Sequence, residues 1–256
     1  MNHIGVLLLA SILPIILLLY FIYKKDQNKE PFSLLFILFC SGILSCFLVL
    51  ELSNLLGYIF PFMDGEVNSF FNTVLYAFIG VAFIEEICKW IMVYFIGYHH
   101  KEFEELFDIT VYAVFVSLGF AFYENIAYVL TVGEIKTAFL RAVSAVPAHA
   151  CDAVFMGYYF SLAKKFRLKK RKDLEKSNLF LSILVPTFLH GIYDLCLLLN
   201  YRIFVFAFLL FVVYLYIVSI RKINEMTEFK NIKVVYCKNC GAKLESNVCS
   251  RCGNRN

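Results

Sequence analysis

Seven apolar stretches organise the chain: residues 4–23, 32–57, 70–97, 109–131, 140–163, 179–199 and 202–220. Each approaches or exceeds the roughly 20 residues that an α-helix needs to cross the hydrocarbon core of a bilayer. Short polar segments separate them, so the pattern predicts an all-α fold: a polytopic membrane bundle of about seven transmembrane helices. The first stretch ends in Lys24 and Lys25 instead of beginning with basic residues, and no small-residue cleavage pattern follows it. It reads as a retained helix, not a signal peptide. No internal repeat, low-complexity tract or second membrane domain interrupts the series.

Composition sharpens this picture. Of 256 residues, 61% are apolar and 17% charged, which leaves too little polar surface for a soluble domain and makes lipid the main solvent. The 28 Phe and 16 Tyr suit lipid-facing surfaces and interface belts, whereas 12 Gly and 5 Pro are few for a transporter built on broken helices. The net charge of +4 comes largely from one loop, Lys164 to Lys176, between two apolar stretches, so no nucleic acid is expected as a partner. With Lys24, Lys25, Lys29, Arg221 and Lys222, that loop predicts a multi-pass cell-membrane protein with its N-terminus outside and its C-terminus cytoplasmic.

Nine cysteines fall into two groups. Cys40, Cys46, Cys88, Cys151 and Cys196 are scattered through apolar stretches and read as small packing residues. Cys237 and Cys240, then Cys249 and Cys252, form two CxxCG units with eight residues between Cys240 and Cys249. Four thiolates at this spacing match tetrahedral zinc, and the Gly after each pair can adopt positive φ in the knuckle. Disulfides are the weaker reading because the predicted compartment is reducing. A four-cysteine site is closed to substrate, so this zinc is expected to be structural and the knuckle to dock a cytoplasmic partner or stabilise the tail. The chain divides into a membrane domain (1–222), a linker (223–235) and a zinc-ribbon knuckle (236–256).

The apolar stretches also carry ionisable residues, each costing about 2.5–3.5 kcal/mol near mid-membrane on insertion scales, so each needs a partner or a function. Glu85, Glu86 and Lys89 lie in the third stretch, and the spacing lets Lys89 pair with one carboxylate and leave the other available. Glu124 and Asn125 lie in the fourth, with Tyr128 on the face of Glu124. The fifth carries Arg141, His149 and Asp152, where three-residue spacing lets Asp152 orient His149. The sixth carries His190 and Asp194. Counted from the span ends, Glu85, Glu86, Asp152 and His190 fall near the midplane and Glu124, His149 and Asp194 in the exterior half. They can converge in one cavity opening outward, able to bind a divalent metal or to activate water without one.

Four segments in order, EEICKW, FYENIAY, RAVSAVPAH and HGIYD, resemble the PrsW family of intramembrane proteases, over nearly all of residues 1–222. The resemblance implies a membrane-embedded peptidase that makes the first, exterior-side cut in a single-span anti-sigma factor. It also implies that Glu85, Glu86 and His190 are essential. The family is described as metalloproteases, while its motifs parallel the CAAX-protease and bacteriocin-processing superfamily, where EExxxR, FxxxH and HxxxN or HxxxD support a glutamate-activated water. This chain departs from that pattern: Lys89 stands one position early, and Phe120 is followed by Glu124 where a His is expected.

The resulting expectation has Glu85 or Glu86 as general base on a water, either free or bound to a metal held by His190 and His149, with Glu124 available as a third ligand. Lys89 tunes the carboxylate pair, and Arg141, Asn125 or a protonated imidazole donates to the oxyanion. Two other classes compete: an ion-coupled carrier, because buried ionisable residues also mark ion pathways, and a non-catalytic scaffold that recruits a partner through its knuckle.

Overall fold

The computed structural model describes residues 3–64, 69–199, 202–228 and 252–253. Among these, regular structure is helical throughout: α1 (His3–Lys25), α2 (Phe32–Gly57), α3 (Phe70–Leu75), α4 (Ile84–Met92), α5 (Asp108–Val132), α6 (Ile135–Val143), α7 (Ala145–Leu168), α8 (Lys172–Leu199) and α9 (Arg202–Glu228). Among the described residues, six helical segments are long and apolar enough to cross a membrane: Ile4–Lys25, Phe32–Gly57, Asp108–Val132, Ile135–Leu168, Lys172–Leu199 and Val205–Thr227. They account for six of the seven apolar stretches. The remaining one is helical from 70 to 98 but changes type along its length, with π-helical stretches Tyr76–Phe83 and Val93–Tyr98 flanking α4. No single α-helix there is long enough to count as a span. Wide turns of this kind recur near functional sites, and the first one leads directly into Glu85 and Glu86.

The fifth apolar stretch is likewise composite. The chain bends between α6 and α7 at Ser144 (φ −122°, ψ −66°). Pro147 falls in the first turn of α7, where helix N–H groups have no intrahelical acceptor and a missing donor is tolerated. The bend swings α6 back over the end of α5, which matters for the site below.

Close packing fixes the frame. α5 lies against α1, α2 and α7, and α7 lies against α8 and α9. Gly42 of α2 and Gly119 of α5 make the crossing possible: a Cβ on Gly42 would stand 1.9 Å from the Val116 carbonyl oxygen, and one on Gly119 would stand 2.0 Å from that of Phe39. Small residues of this sort let helix backbones approach where lipid offers no hydrophobic drive for association. Trp90 stacks on Tyr94 at 4.7 Å and on Phe160 at 5.5 Å, and its indole N–H donates to Ser182 Oγ at 2.7 Å. Phe36, Leu44, Phe95 and Leu209 face outward, as a lipid-solvated surface requires.

The basic segments gather at one end of the bundle. Lys25 donates to Asn224 Oδ1 at 3.2 Å and Gln27 to the Thr227 carbonyl at 3.3 Å, which ties the first loop to the end of α9. Arg167 Nη1 meets His99 Nε2 at 3.0 Å, and Lys222 lies 4.0 Å over the Tyr158 ring. In the tail, Cys252 is exposed in a turn and Gly253 has φ +73°. Cys237, Cys240 and Cys249 lie outside the described residues, and with them the zinc knuckle.

Candidate active site

α4 supplies the centre of the site. Lys89 lies three residues after Glu86 and four after Glu85, so all three side chains share one face. Its ammonium reaches Glu86 Oε1 at 2.8 Å and Glu85 Oε2 at 3.3 Å. Lys89 therefore bridges both carboxylates, where the sequence suggested a pairing with one. It also donates to His149 Nδ1 at 3.2 Å and lies 4.1 Å over the Phe120 ring. Four favourable contacts meet this fully buried charge, which would otherwise be costly at this depth.

α7 brings His149 and Asp152 to the same place. Because Lys89 can only donate and a carboxylate only accept, His149 accepts at Nδ1 and donates from Nε2 to Glu124 Oε2, 3.0 Å away. Glu124 also accepts from Arg141 Nη2 at 2.9 Å. This pair exists because α5 ends at Gly133 with φ +71°, a left-handed cap that reverses the chain and lays α6 alongside. Arg141 Nε then donates to Asn125 Oδ1 at 2.7 Å, and Asn125 Nδ2 donates to the Ser11 carbonyl at 3.2 Å. Arg141 stands 4.2 Å over the Tyr128 ring.

α8 closes the cluster. His190 Nδ1 lies 3.0 Å from Glu86 Oε1, and its Nε2 lies 3.4 Å from Asp194 Oδ2 and 3.9 Å from Glu85 Oε2. The two imidazoles stand edge to face, with centroids 5.3 Å apart. α4, α7 and α8, with Glu124 from α5, thus surround the cluster, and Glu86, Lys89, His149 and His190 each have a hydrogen-bond partner that limits rotation.

The donor set meets the needs of a divalent ion. Glu86, His149, Asp152 and His190 each offer one ligand atom, all within 4.8 Å of one another. Glu86 Oε2 and Asp152 Oδ1 are buried and have no hydrogen-bond partner among the described residues. Orphaned carboxylate oxygens are costly when buried, and a bound cation satisfies them. Two imidazoles with two carboxylates form a suitable ligand set for zinc or a related metal. Lys89 already contributes one positive charge to the same cluster.

Above the cluster lies a cavity of about 450 Å³. Glu85, Glu124, His149, Asp152, His190 and Asp194 form its polar part, while Tyr76, Tyr128, Leu140 and Leu197 line its upper walls. Tyr128 and Leu197 lie at the C-terminal ends of α5 and α8, so this upper part lies toward the end of the bundle away from the basic loops. Glu86 and Lys89 sit beneath the cavity, at 0% and 1% exposure, whereas Glu85 reaches into it.

Of the residues singled out from sequence, Glu85, Glu124, Arg141, His149, His190 and Asp194 line the cavity, with Glu86 and Lys89 directly below. Asn125 is buried behind them, its amide engaged by Arg141 and Ser11. Asp152 is placed differently from its expected role as the orienter of His149: both nitrogens of that ring are engaged by Lys89 and Glu124, and Asp152 joins the potential ligands instead. Tyr76 was missed, and nothing marks it among the other aromatics of its apolar run.

Comparison with known proteins agrees with this geometry. A sequence profile described as the PrsW family intramembrane metalloprotease matches residues 30–220. The chain is 39% identical to "Protease PrsW" of Geobacillus kaustophilus over 220 residues, covering 86% of this chain and 91% of that protein. It is 38% identical to "Protease PrsW" of Oceanobacillus iheyensis, covering 87% and 96%, and 34% identical to that of Bacillus subtilis, covering 88% and 97%. No solved structure matches. A buried Glu–His–Asp–His cluster beneath a cavity in a bundle of apolar helices, together with a match over most of its length, makes this chain a member of the PrsW family of intramembrane metalloproteases.

Proposed function

We propose that the protease hydrolyses a peptide bond held over Glu85, in the segment of a single-span membrane protein that emerges on the exterior side, and that the substrate is of the anti-sigma factor class. The observation that carries this reading is that Glu85, His190 and Asp194 share one cavity lying away from the basic end of the bundle. Basic loops mark the cytoplasmic side, which supports an exterior mouth, an outside N-terminus and a cytoplasmic C-terminus.

In this mechanism Glu85 accepts a proton from the attacking water, since it reaches the cavity while Glu86 is sealed beneath it. Glu86, His149, Asp152 and His190 are the residues that would hold a divalent ion. The chemistry such an ion supplies is activation of water and polarisation of the scissile carbonyl. Lys89 holds Glu86 in place, and Glu124 orients His149 through Nε2, so that Nδ1, which accepts from Lys89 in this structure, is the nitrogen His149 would turn over to an ion. Arg141 lines the cavity and retains N–H donors beyond those given to Glu124 and Asn125, so it is placed to bind the developing oxyanion. Glu85 then returns that proton to the leaving amine, while Asp194, 3.4 Å from His190 Nε2, holds the imidazole in position. The peptide must be unwound to reach them, because a helical peptide bond is shielded. Residues 1–222 form the catalytic domain, and the four tail cysteines bind a structural zinc that docks a cytoplasmic partner and is not needed for hydrolysis.

The test is cleavage of a co-expressed, tagged single-span anti-sigma factor by wild type, Glu85→Gln, His190→Ala and a chain ending at Lys230, with membrane abundance followed by blot. Cleavage is expected from wild type and the shortened chain only. Cleavage by both point variants at normal abundance overturns the assignment.

A further inference from the structure

An intramembrane protease must admit its substrate from the side, and among the described residues two fissures are candidates. One is an apolar groove of about 340 Å³ flanked by α1 and α9 and floored by α5 and α7, with Ile22, Cys151, Val154 and Ile220 in its walls. It lies on the face of α7 that turns away from His149 and Asp152, and no carboxylate of the cluster lines it. The other separates the π-helical stretch Tyr76–Phe83 from the outer half of α5. Among the described residues that stretch packs mainly on α8, with smaller contacts to α3, α4 and the turn Pro61–Asp64 and at most marginal contact with α2 or α5, while α5 is packed against α1, α2 and α7. Tyr76, Val81 and Glu85 stand on one side of the opening, and Glu124 and Tyr128 on the other. On the lipid side its edge is aromatic and accessible, with Tyr128 50% exposed.

We propose that this second fissure is the lateral entry through which the juxtamembrane segment of a single-span substrate slides, unwound, between Tyr76 and Tyr128 onto Glu85. The proposal rests on the assignment of catalysis to the Glu85 cavity, and three observations select this route over the α1/α9 groove. The fissure is continuous with the cavity that holds Glu85. Its walls pass from apolar and aromatic at the lipid edge to charged at the floor, which suits a chain that leaves lipid and exposes polar backbone as it unwinds. The wall formed by Tyr76–Phe83 is wide-turned helix anchored mainly through α8, where Phe78 packs against Phe188 and Gly191, so it can shift without disturbing the α2/α5 crossing.

The test places a photo-crosslinking benzoylphenylalanine at Tyr76, Val81 or Tyr128, and separately at Phe21 or Ile220 of the other groove, in a Glu85→Gln background that retains substrate. The probe is the tagged single-span anti-sigma factor used above. Adducts are expected from the first three positions and not from the last two. Adducts from Phe21 or Ile220, or from no position, overturn the route. A second arm needs no substrate: dicyclohexylcarbodiimide, which partitions into the bilayer, should modify Glu85 in wild-type membranes, and Val81→Trp should abolish that modification by filling the fissure. Unchanged labelling of Val81→Trp overturns the fissure on its own. Failure of wild type to cleave the probe while Val81→Trp blocks labelling counts against the substrate class and leaves the entry route supported.

Discussion

Toward the basic end of the bundle, Trp90, Tyr94, Tyr98 and Phe160 stack at 4.7 to 5.5 Å and bury almost all of their neighbours in a continuous core, whereas toward the other end the same helices part around a cavity floored by carboxylates and imidazoles. The difference lies in what each region must hold still. Apolar side chains at the packed end need only volume complementarity, and lipid-facing helices gain their association energy from such contacts. Charged groups at the open end need partners at hydrogen-bond distance, and Lys89 provides them by touching Glu85, Glu86 and His149 at once. The packed half acts as the frame, and the polar half is built onto the helix faces that the frame presents.

Variants that touch one region and not the other test this division. The largest effect is expected from Glu86→Gln, because Glu86 belongs to both: it pairs with Lys89 and is one of the potential metal ligands. Breaking a buried ion pair costs about 3 kcal/mol or more, so both the thermal midpoint in detergent and cleavage should fall. Glu85→Gln should separate the two readouts, with cleavage lowered by about 10²- to 10⁴-fold as expected for loss of a general base and the thermal midpoint little changed. Trp90→Ala should do the reverse. Removing this half-buried indole, which packs on the core and donates to Ser182, costs up to about 3 kcal/mol, so the midpoint drops while protein that remains folded keeps its cleavage rate. A Trp90→Ala variant with full stability and no cleavage would contradict the division.

The smallest effect concerns pH. Glu30, in the first loop outside the spans, is pushed up to about 8 by burial, with Asp108 and Asp26 adding to the shift against a hydrogen bond from Tyr112. Its folded pKa therefore lies above its unfolded value, and the folded state binds the extra proton. Stability should fall as pH rises from about 4.5 to about 8. Glu30→Gln should shallow that slope, the remainder coming from neighbours such as Asp26, which burial also raises, and the variant should gain on wild type near pH 8 and match it near pH 5, as read from thermal midpoints. A slope of the same size in the variant would assign the effect elsewhere.

Much of the site was legible in the sequence because ionisable residues are expensive in apolar stretches, so Glu85, Glu86, His149 and His190 stand out without any fold. The all-α bundle was legible for the same reason, through length and hydropathy. What the sequence left open depended on geometry between helices. Asp152 was read against its nearest neighbour on α7, yet Lys89 and Glu124 come from other helices to engage both nitrogens of His149. Spacing alone cannot separate the roles of Glu85 and Glu86, because both fall one turn from Lys89; only the cavity distinguishes the reaching carboxylate from the sealed one. The Glu124–Arg141 ion pair required the reversal at Gly133 and the bend at Ser144, which no periodicity announces. The π-helical wall carrying Tyr76 left no trace in an uninterrupted apolar run.

The most direct test of the central claim is the single-turnover cleavage rate of a purified single-span anti-sigma factor by the protease in proteoliposomes, comparing wild type with Glu85→Gln at equal folded content. Cleavage lost in Glu85→Gln, with the thermal midpoint retained, is the predicted result. A Glu85→Gln rate equal to that of wild type would contradict the account and move catalysis out of this cavity.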